Sequence, residues 1–274
     1  MSLPVSGAAV EISKSFFKRL LRQRHLIWNF VLRDLKSRYV GSFMGIFWSV
    51  IHPIVLLVCY TFVFSVVFKI RPYSTTTDNF AIFLFCGILP WLYFQDTVLR
   101  SCTSIVEHGH LIKKTLFPSE ILPISYVISN LIMHLIGVAI LVVVLIALGL
   151  FGWTIVFLPI YLVLLMVLAL GLGWLTACLQ VFLRDTVQIL TVVLVFWFWF
   201  TPIFYTVEKV PAVLQPLIRL NPLTSVVEGY RSVLLEHQMP SLSGLALLAV
   251  YAVILFVIGG TAFRRTKREF VDVL

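Results

Sequence analysis

The 274 residues are 60% hydrophobic and only 12% charged, with a mean hydropathy of +1.03. A soluble domain carries about 25% charged residues, so this composition excludes one and describes an integral membrane protein. The net charge of +9 would suggest a nucleic-acid partner in a soluble chain, but in a membrane protein the placement of charge matters more than its sum.

Residues 1–40 form a polar N-terminal segment. Met1 to His25 sets small residues ahead of its positive charges, the reverse of a secretory signal, so insertion relies on internal helices. Over residues 11–39, Ile27, Val31 and Leu35 recur at helical spacing with Phe30 and Leu32 beside them, while Arg33, Lys36 and Arg38 fall on other faces. The pattern predicts an amphipathic helix lying in the headgroup layer. Charge then stops, with none from Tyr39 until Lys69.

A spanning helix needs roughly 20 mostly apolar residues. Segments near 44–68, 80–103, 121–150, 154–181, 187–206 and 243–263 qualify, which predicts an all-α integral membrane protein with six transmembrane helices forming one domain over 41–265. Residues 207–240 are too polar and Pro-broken to span yet too apolar for a solvated loop. They read as short helices re-entering the membrane before the last span, tolerable where protein or water covers the broken backbone. Residues 266–274 form a short tail.

Six spans place both termini on one side. Sixteen of the 21 Lys and Arg residues fall on that side, in the N-terminal segment, the second-to-third loop, the fourth-to-fifth turn and the tail. The positive-inside rule makes it cytoplasmic, so the basic balance is mostly topology and nucleic-acid binding loses its support.

No catalytic constellation emerges. The four cysteines, Cys59, Cys86, Cys102 and Cys178, stand singly with no CxxC pair and read as small buried hydrophobes. The His108–His110 pair lacks further ligands and reads as a solvated loop rather than a metal site. Gly109 to Thr115, "GHLIKKT", lacks the second glycine and the strand of a phosphate loop. If ATP powers this protein, another chain binds it. Among charges within spans, Asp96 has Arg100 one turn later: either the pair neutralises itself near the interface, or Asp96 lines or gates a path. No chain of intramembrane acids favours a proton-coupled carrier.

The aromatic content is high, with 23 Phe, 9 Tyr and 7 Trp. On a regular helix Phe43, Phe47, Tyr60, Phe64 and Phe68 share an arc of roughly 140°. The fifth span carries "FWFWFTPIFY", including Trp197 and Trp199. Such rings anchor helices at interfaces, and they also stack on the C–H faces of sugars.

Six strings, "RYVGSFMGIFWSVIHPI", "FCGILPWLYFQD", "LIKKTLFPSEILPIS", "FLRDTVQIL", "TPIFYTVEKVP" and "LNPLTSVVEGYR", stand in the order and spacing of permease subunits of bacterial polysaccharide ABC exporters. Over residues 25 to 265 the chain resembles the subunits that export O-antigen, capsular polysaccharide or teichoic acid. The resemblance implies two permease copies joined to two separate ATPase subunits, which hold ATP and magnesium, and an undecaprenyl-diphosphate-linked glycan moved outward across the inner membrane. This chain itself then needs no cofactor. The resemblance also implies a coupling helix at about 105–116, with Glu107, His110, Leu111, Ile112, Lys113 and Lys114 meeting the ATPase. Arg33, Lys36 and Arg38 would attract the lipid diphosphate or anionic headgroups, and the aromatic stripe with Trp197 and Trp199 would line the glycan's path. Competing readings are an ABC exporter of lipids or drugs, a membrane-embedded transferase, and a homo-oligomeric channel. The transferase lacks its carboxylate or histidine cluster, and a channel would not need a coupling loop.

Overall fold

The computed structural model describes residues 23–38, 44–69, 80–114 and 117–274, and every regular element among them is helical. Phe43 and the basic residues Lys14, Lys18, Arg19 and Arg22 lie outside the described residues. Helix α1 (Arg24–Ser37) buries Ile27 and Val31 and exposes Arg33 and Lys36, so the amphipathic pattern is a packing face; its next buried member is a carboxylate, Asp34.

Among the described residues, four helices are long and apolar enough to cross a bilayer: α3 (Phe80–Glu107), α5 (Ile121–Ala147), α6 (Leu158–Phe182, entered through a 3-10 turn from Trp153) and α10 (Leu242–Thr266). The first and fifth expected spans are shorter apolar helices, the first because its winding changes and the fifth because a proline follows it. Helix α2 (Trp48–Tyr60) contains Pro53 and gives way to a π-helical stretch over Thr61–Val67. Helix α7 (Thr186–Phe200) stops because Thr201, ahead of Pro202, is extended (φ −91°, ψ 131°). Its 15 residues rise about 22 Å against the ~30 Å of a hydrocarbon core. Helix α5 ends where Gly149 takes φ +70° and Leu150 N–H donates to the Leu145 carbonyl at 2.8 Å, a left-handed stop that a Cβ would strain.

Helix α3 runs inside the bundle, packed against α5, α6 and α9 (Pro222–Leu234), with Trp91, Phe85 and Phe94 fully enclosed. Helix α2, the π-helical stretch after it and helix α7 lie on its flank and present Val55, Val58, Phe62, Val192, Phe196 and Trp199 outward. At one end, the basic-helix end, α1 meets α4 (Gly109–Lys114), the start of α5, the ends of α3, α6 and α10, and α11 (Phe270–Val273) in one apolar cluster. At the far end, a 3-10 turn at Val207–Lys209, α8 (Gln215–Arg219) and α9 occupy the region expected to re-enter. All four cysteines are free thiols; three are buried, while Cys59 faces outward.

The tightest helix pair is α6 with α10. Without an aqueous hydrophobic drive, helices in lipid associate through close backbone approach at small residues. A Cβ on Gly259 would overlap the Gly171 carbonyl, and one on Gly171 would stand 2.5 Å from backbone atoms of Leu255 and Phe256. Backbone cannot step aside as a rotamer can. Gly259→Ala should therefore remove the monodisperse peak in detergent size-exclusion chromatography, whereas Gly260→Ala, 3.6 Å from the Trp174 ring, should run as the parent does.

Candidate functional site

At the basic-helix end, one buried carboxylate organises three helices. Asp34 Oδ2 accepts from Arg38 Nε at 3.0 Å, from an Arg38 terminal nitrogen at 2.8 Å and from Ser129 Oγ at 2.7 Å, while Oδ1 accepts from Arg100. Arg38 also donates to Asn130 Oδ1 at 2.5 Å, and the Asn130 amide donates to Thr97 Oγ1 at 3.1 Å. The network ties α1 to α3 and α5. Arg100 is therefore engaged with Asp34, and the Asp96–Arg100 pair that one-turn spacing allowed is not formed; Asp96 stays exposed. Sequence reasoning missed Asp34. Its signal was a carboxylate three residues after Val31, on the face that carries the apolar stripe.

Of the three cations expected to meet an anionic headgroup, Arg33 and Lys36 are exposed and Arg38 is committed to protein partners. The Arg33 guanidinium lies 5.0 Å from the Phe30 ring centroid, beside a cavity of about 330 Å3 that Arg100, His108 and Tyr126 also line.

Glu107, the last residue of α3, and His110 and Lys113 of the short helix α4 fall at intervals of three on the exposed side; Leu111 is partly buried and Lys114 closes the helix. Ile112 points inward, 6% exposed, into the cluster with Ile105, Phe263 and Phe270. Burial holds the His108 imidazole below its ordinary pKa, and its Nδ1 lies 2.9 Å from the Ser104 carbonyl, the position of a neutral donor. No cluster of three metal-ligating side chains occurs among the described residues. The tail does more than trail. Phe270 is fully buried, edge-on to Phe263 at 5.4 Å, and the Leu274 side chain comes 3.7 Å from where a Cβ on Gly109 would sit. Lys267 pairs with Glu120 at 3.3 Å, tying the end of α10 to the start of α5, and α11 packs against α4 and braces it.

The aromatic stripe divides. The π-helical stretch after Tyr60 departs from the regular rotation that set its arc. Tyr60 and Phe64 are half-buried, and Phe64 packs 5.2 Å from Phe80 and 6.1 Å from Phe204. Phe47 and Phe68 are exposed. Trp199 is exposed and stacks on Phe204 at 5.5 Å, while Trp197 turns inward, edge-on to Phe94, and donates its indole N–H to Asn221 Oδ1 at 2.9 Å.

At the far end Arg231 on α9 is 5% exposed and has no carboxylate partner among the described residues. It donates to the carbonyls of Pro202 at 2.7 Å and Ile203 at 2.5 Å, and lies 3.6 Å over the Phe83 ring. Asn221 caps α9 by accepting from Leu223 N–H at 3.0 Å, and its amide donates to Thr201 Oγ1 at 3.0 Å. The end of α7 is thus held by two polar residues of the following block.

A family model described as ABC-2 type transporter matches residues 25–235. The chain belongs to the ABC-2 type transporter family. This ABC-2 chain is 29% identical over 258 residues to the O-antigen export system permease protein RfbA of Myxococcus xanthus, covering 93% of this chain and 97% of the relative. It is 27% identical over 247 residues to a protein of the same name from Klebsiella pneumoniae, covering 88% and 92%. The ABC-2 match takes in α1 through α9, so the Asp34 network, α4 and the Arg231 contacts all lie within it.

Proposed function

We propose that this chain is the membrane subunit of a bacterial exporter that moves an undecaprenyl-diphosphate-linked polysaccharide, of O-antigen, teichoic acid or capsule type, outward across the cytoplasmic membrane. The observation that carries this reading is similarity along nearly the whole chain to relatives named as O-antigen export permeases. Two copies pair with two ATPase subunits, which bind the ATP and magnesium. Six crossings, with α2 and α7 completed by their flanking turns, place both termini in the cytoplasm. Arg33 and Lys36 attract the anionic carrier at the inner headgroup layer, each worth about 1 kcal/mol there. Sugars pass along the exposed aromatics Phe47, Phe68 and Trp199. A competing exporter of lipids or drugs would share the ATPase but not the glycan.

Helix α4, braced by α11, is the element that the ATPase grips, through the exposed Glu107, His110 and Lys113. Replacing His110 by Gly and Lys113 by Glu together should lower the ATPase recovered with the chain about tenfold, an ordinary hot-spot loss. Folded yield should hold, because neither side chain is in the core. Co-purification of the ATPase with the parent, and ATP-dependent appearance of lipid-linked glycan in the lumen of inverted vesicles, test the function itself. Undiminished recovery with the double variant would remove α4 from the interface, and an ATPase without glycan movement would favour the lipid or drug exporter.

A further inference from the structure

A cavity of about 220 Å3 opens between α2, α3 and α5, and its lining includes Arg38, Trp48, His52, Asp96, Asn130 and His134. Asp96 stands 11 residues before Glu107, hence about 16 Å along α3 from its basic end. That depth lies within the span. The two nearby guanidiniums, Arg38 and Arg100, are both spent on Asp34, and among the described residues Asp96 has no ion pair. An exposed carboxylate within a span is costly against lipid, so this face meets water or a polar ligand. His52 is exposed beside it, and Trp48 shows 46% of its surface. Behind them His134 is 5% exposed, with Nε2 held by the Tyr230 hydroxyl at 2.8 Å.

We propose that this crevice is a subsite for one neutral sugar ring, with Asp96 and His52 meeting ring hydroxyls and Trp48 stacking on a C–H face. A carboxylate accepts from hydroxyl donors but repels a phosphate, and the Arg38 guanidinium in the lining is already paired with Asp34 and Asn130, so the chemistry selects sugar over the diphosphate, which the Arg33 side of α1 suits better. The volume holds a single ring rather than an oligomer. One weak site of this kind near the entrance would register the first sugar without stalling the polymer. The inference rests on the exporter reading, and the test separates the two.

The chain would be reconstituted with its ATPase in lipid vesicles, and ATP hydrolysis measured against two probes. One is the lipid-linked glycan fraction extracted from the host membrane; the other is the same glycan freed from its diphosphate by mild acid. Asp96→Asn keeps the hydroxyl contacts and should shift the apparent KM for the lipid-linked probe less than about twofold. Asp96→Leu leaves those contacts unmet and should raise it about tenfold, with the maximal stimulated rate nearly kept. The freed glycan should compete against the parent and lose that competition in Asp96→Leu. Trp48→Leu should reproduce the loss should Asp96→Leu fail to assemble with the ATPase. Parent-like behaviour of Asp96→Leu, or of Trp48→Leu when that variant stands in for it, would overturn the subsite, since a lipid-facing carboxylate is replaced by leucine without harm. An equal loss in Asp96→Asn and Asp96→Leu would overturn it too, because charge rather than hydroxyl recognition would then be the requirement. In either case the stimulated parent keeps the exporter reading. A parent that neither probe stimulates would sink that reading and the subsite with it.

Discussion

Asp34→Ala should release α1 from the bundle. The substitution leaves the Arg38 and Arg100 guanidiniums and Ser129 Oγ without their shared acceptor, and removing one partner of a buried ion pair costs about 3–5 kcal/mol. The lower end applies, because the Arg100 side chain is 37% exposed while Asp34 is only 7%. A loss near 3 kcal/mol should lower the apparent melting temperature and open the peptide bonds around residues 23–38 to protease. Asp34→Asn keeps an acceptor without the charge and should lose about half as much. In a double-mutant cycle, Arg38→Met should cost much less on the Asp34→Ala background than on the parent, because the two share one interaction. Additive losses would show that the network does not hold α1. Arg38 also carries a lesson for the headgroup role expected of it: its neutralisation should act on stability first, whereas Arg33 and Lys36 should act on anionic ligand attraction alone.

Arg231→Met should loosen the block that follows α7. Removing the guanidinium relieves the desolvation of an unpaired charge, which favours the variant. It also strands the Pro202 and Ile203 carbonyls, each worth about 1–3 kcal/mol when buried unmet, and removes the contact with the Phe83 face. The carbonyls and ring outweigh the relieved charge, for a net loss of about 2–4 kcal/mol. Lysine should not rescue it, because a single ammonium cannot reproduce a planar fork reaching two carbonyls while stacking on a ring. Thermal unfolding of the two variants beside the parent measures this. Lysine as stable as arginine would mean that positive charge near the end of α7, rather than fork geometry, is what matters.

Several of the expected elements were legible residue by residue. The apolar stripe Ile27–Val31 is the docked face of α1, and the polar run between the second and third expected spans holds the short helix α4. Two short helices stand where Pro211, Pro216 and Pro222 break the apolar pattern. The expected lengths of the first and fifth spans were less legible. A hydropathy window runs up to Pro202 without registering that Thr201 ahead of it must turn extended, and it does not see the winding change from α to π after Tyr60.

By itself the sequence determined the class, the order of the apolar helices, the basic end and the likeness to polysaccharide permeases. Hydropathy is additive and local, so about 20 neighbouring residues suffice to decide whether a segment prefers lipid. The tertiary structure alone decided which charges are satisfied and which are left to act. Arg100 finds Asp34 across 66 positions and Arg38 finds Asn130 across 92, so Asp96 is left open; separately, Ile112 is turned inward from a helix whose other face is exposed, and Gly171 is set against Gly259. Each of these outcomes depends on distances of a few ångströms between segments far apart in the chain, and no local sum of residue preferences contains them.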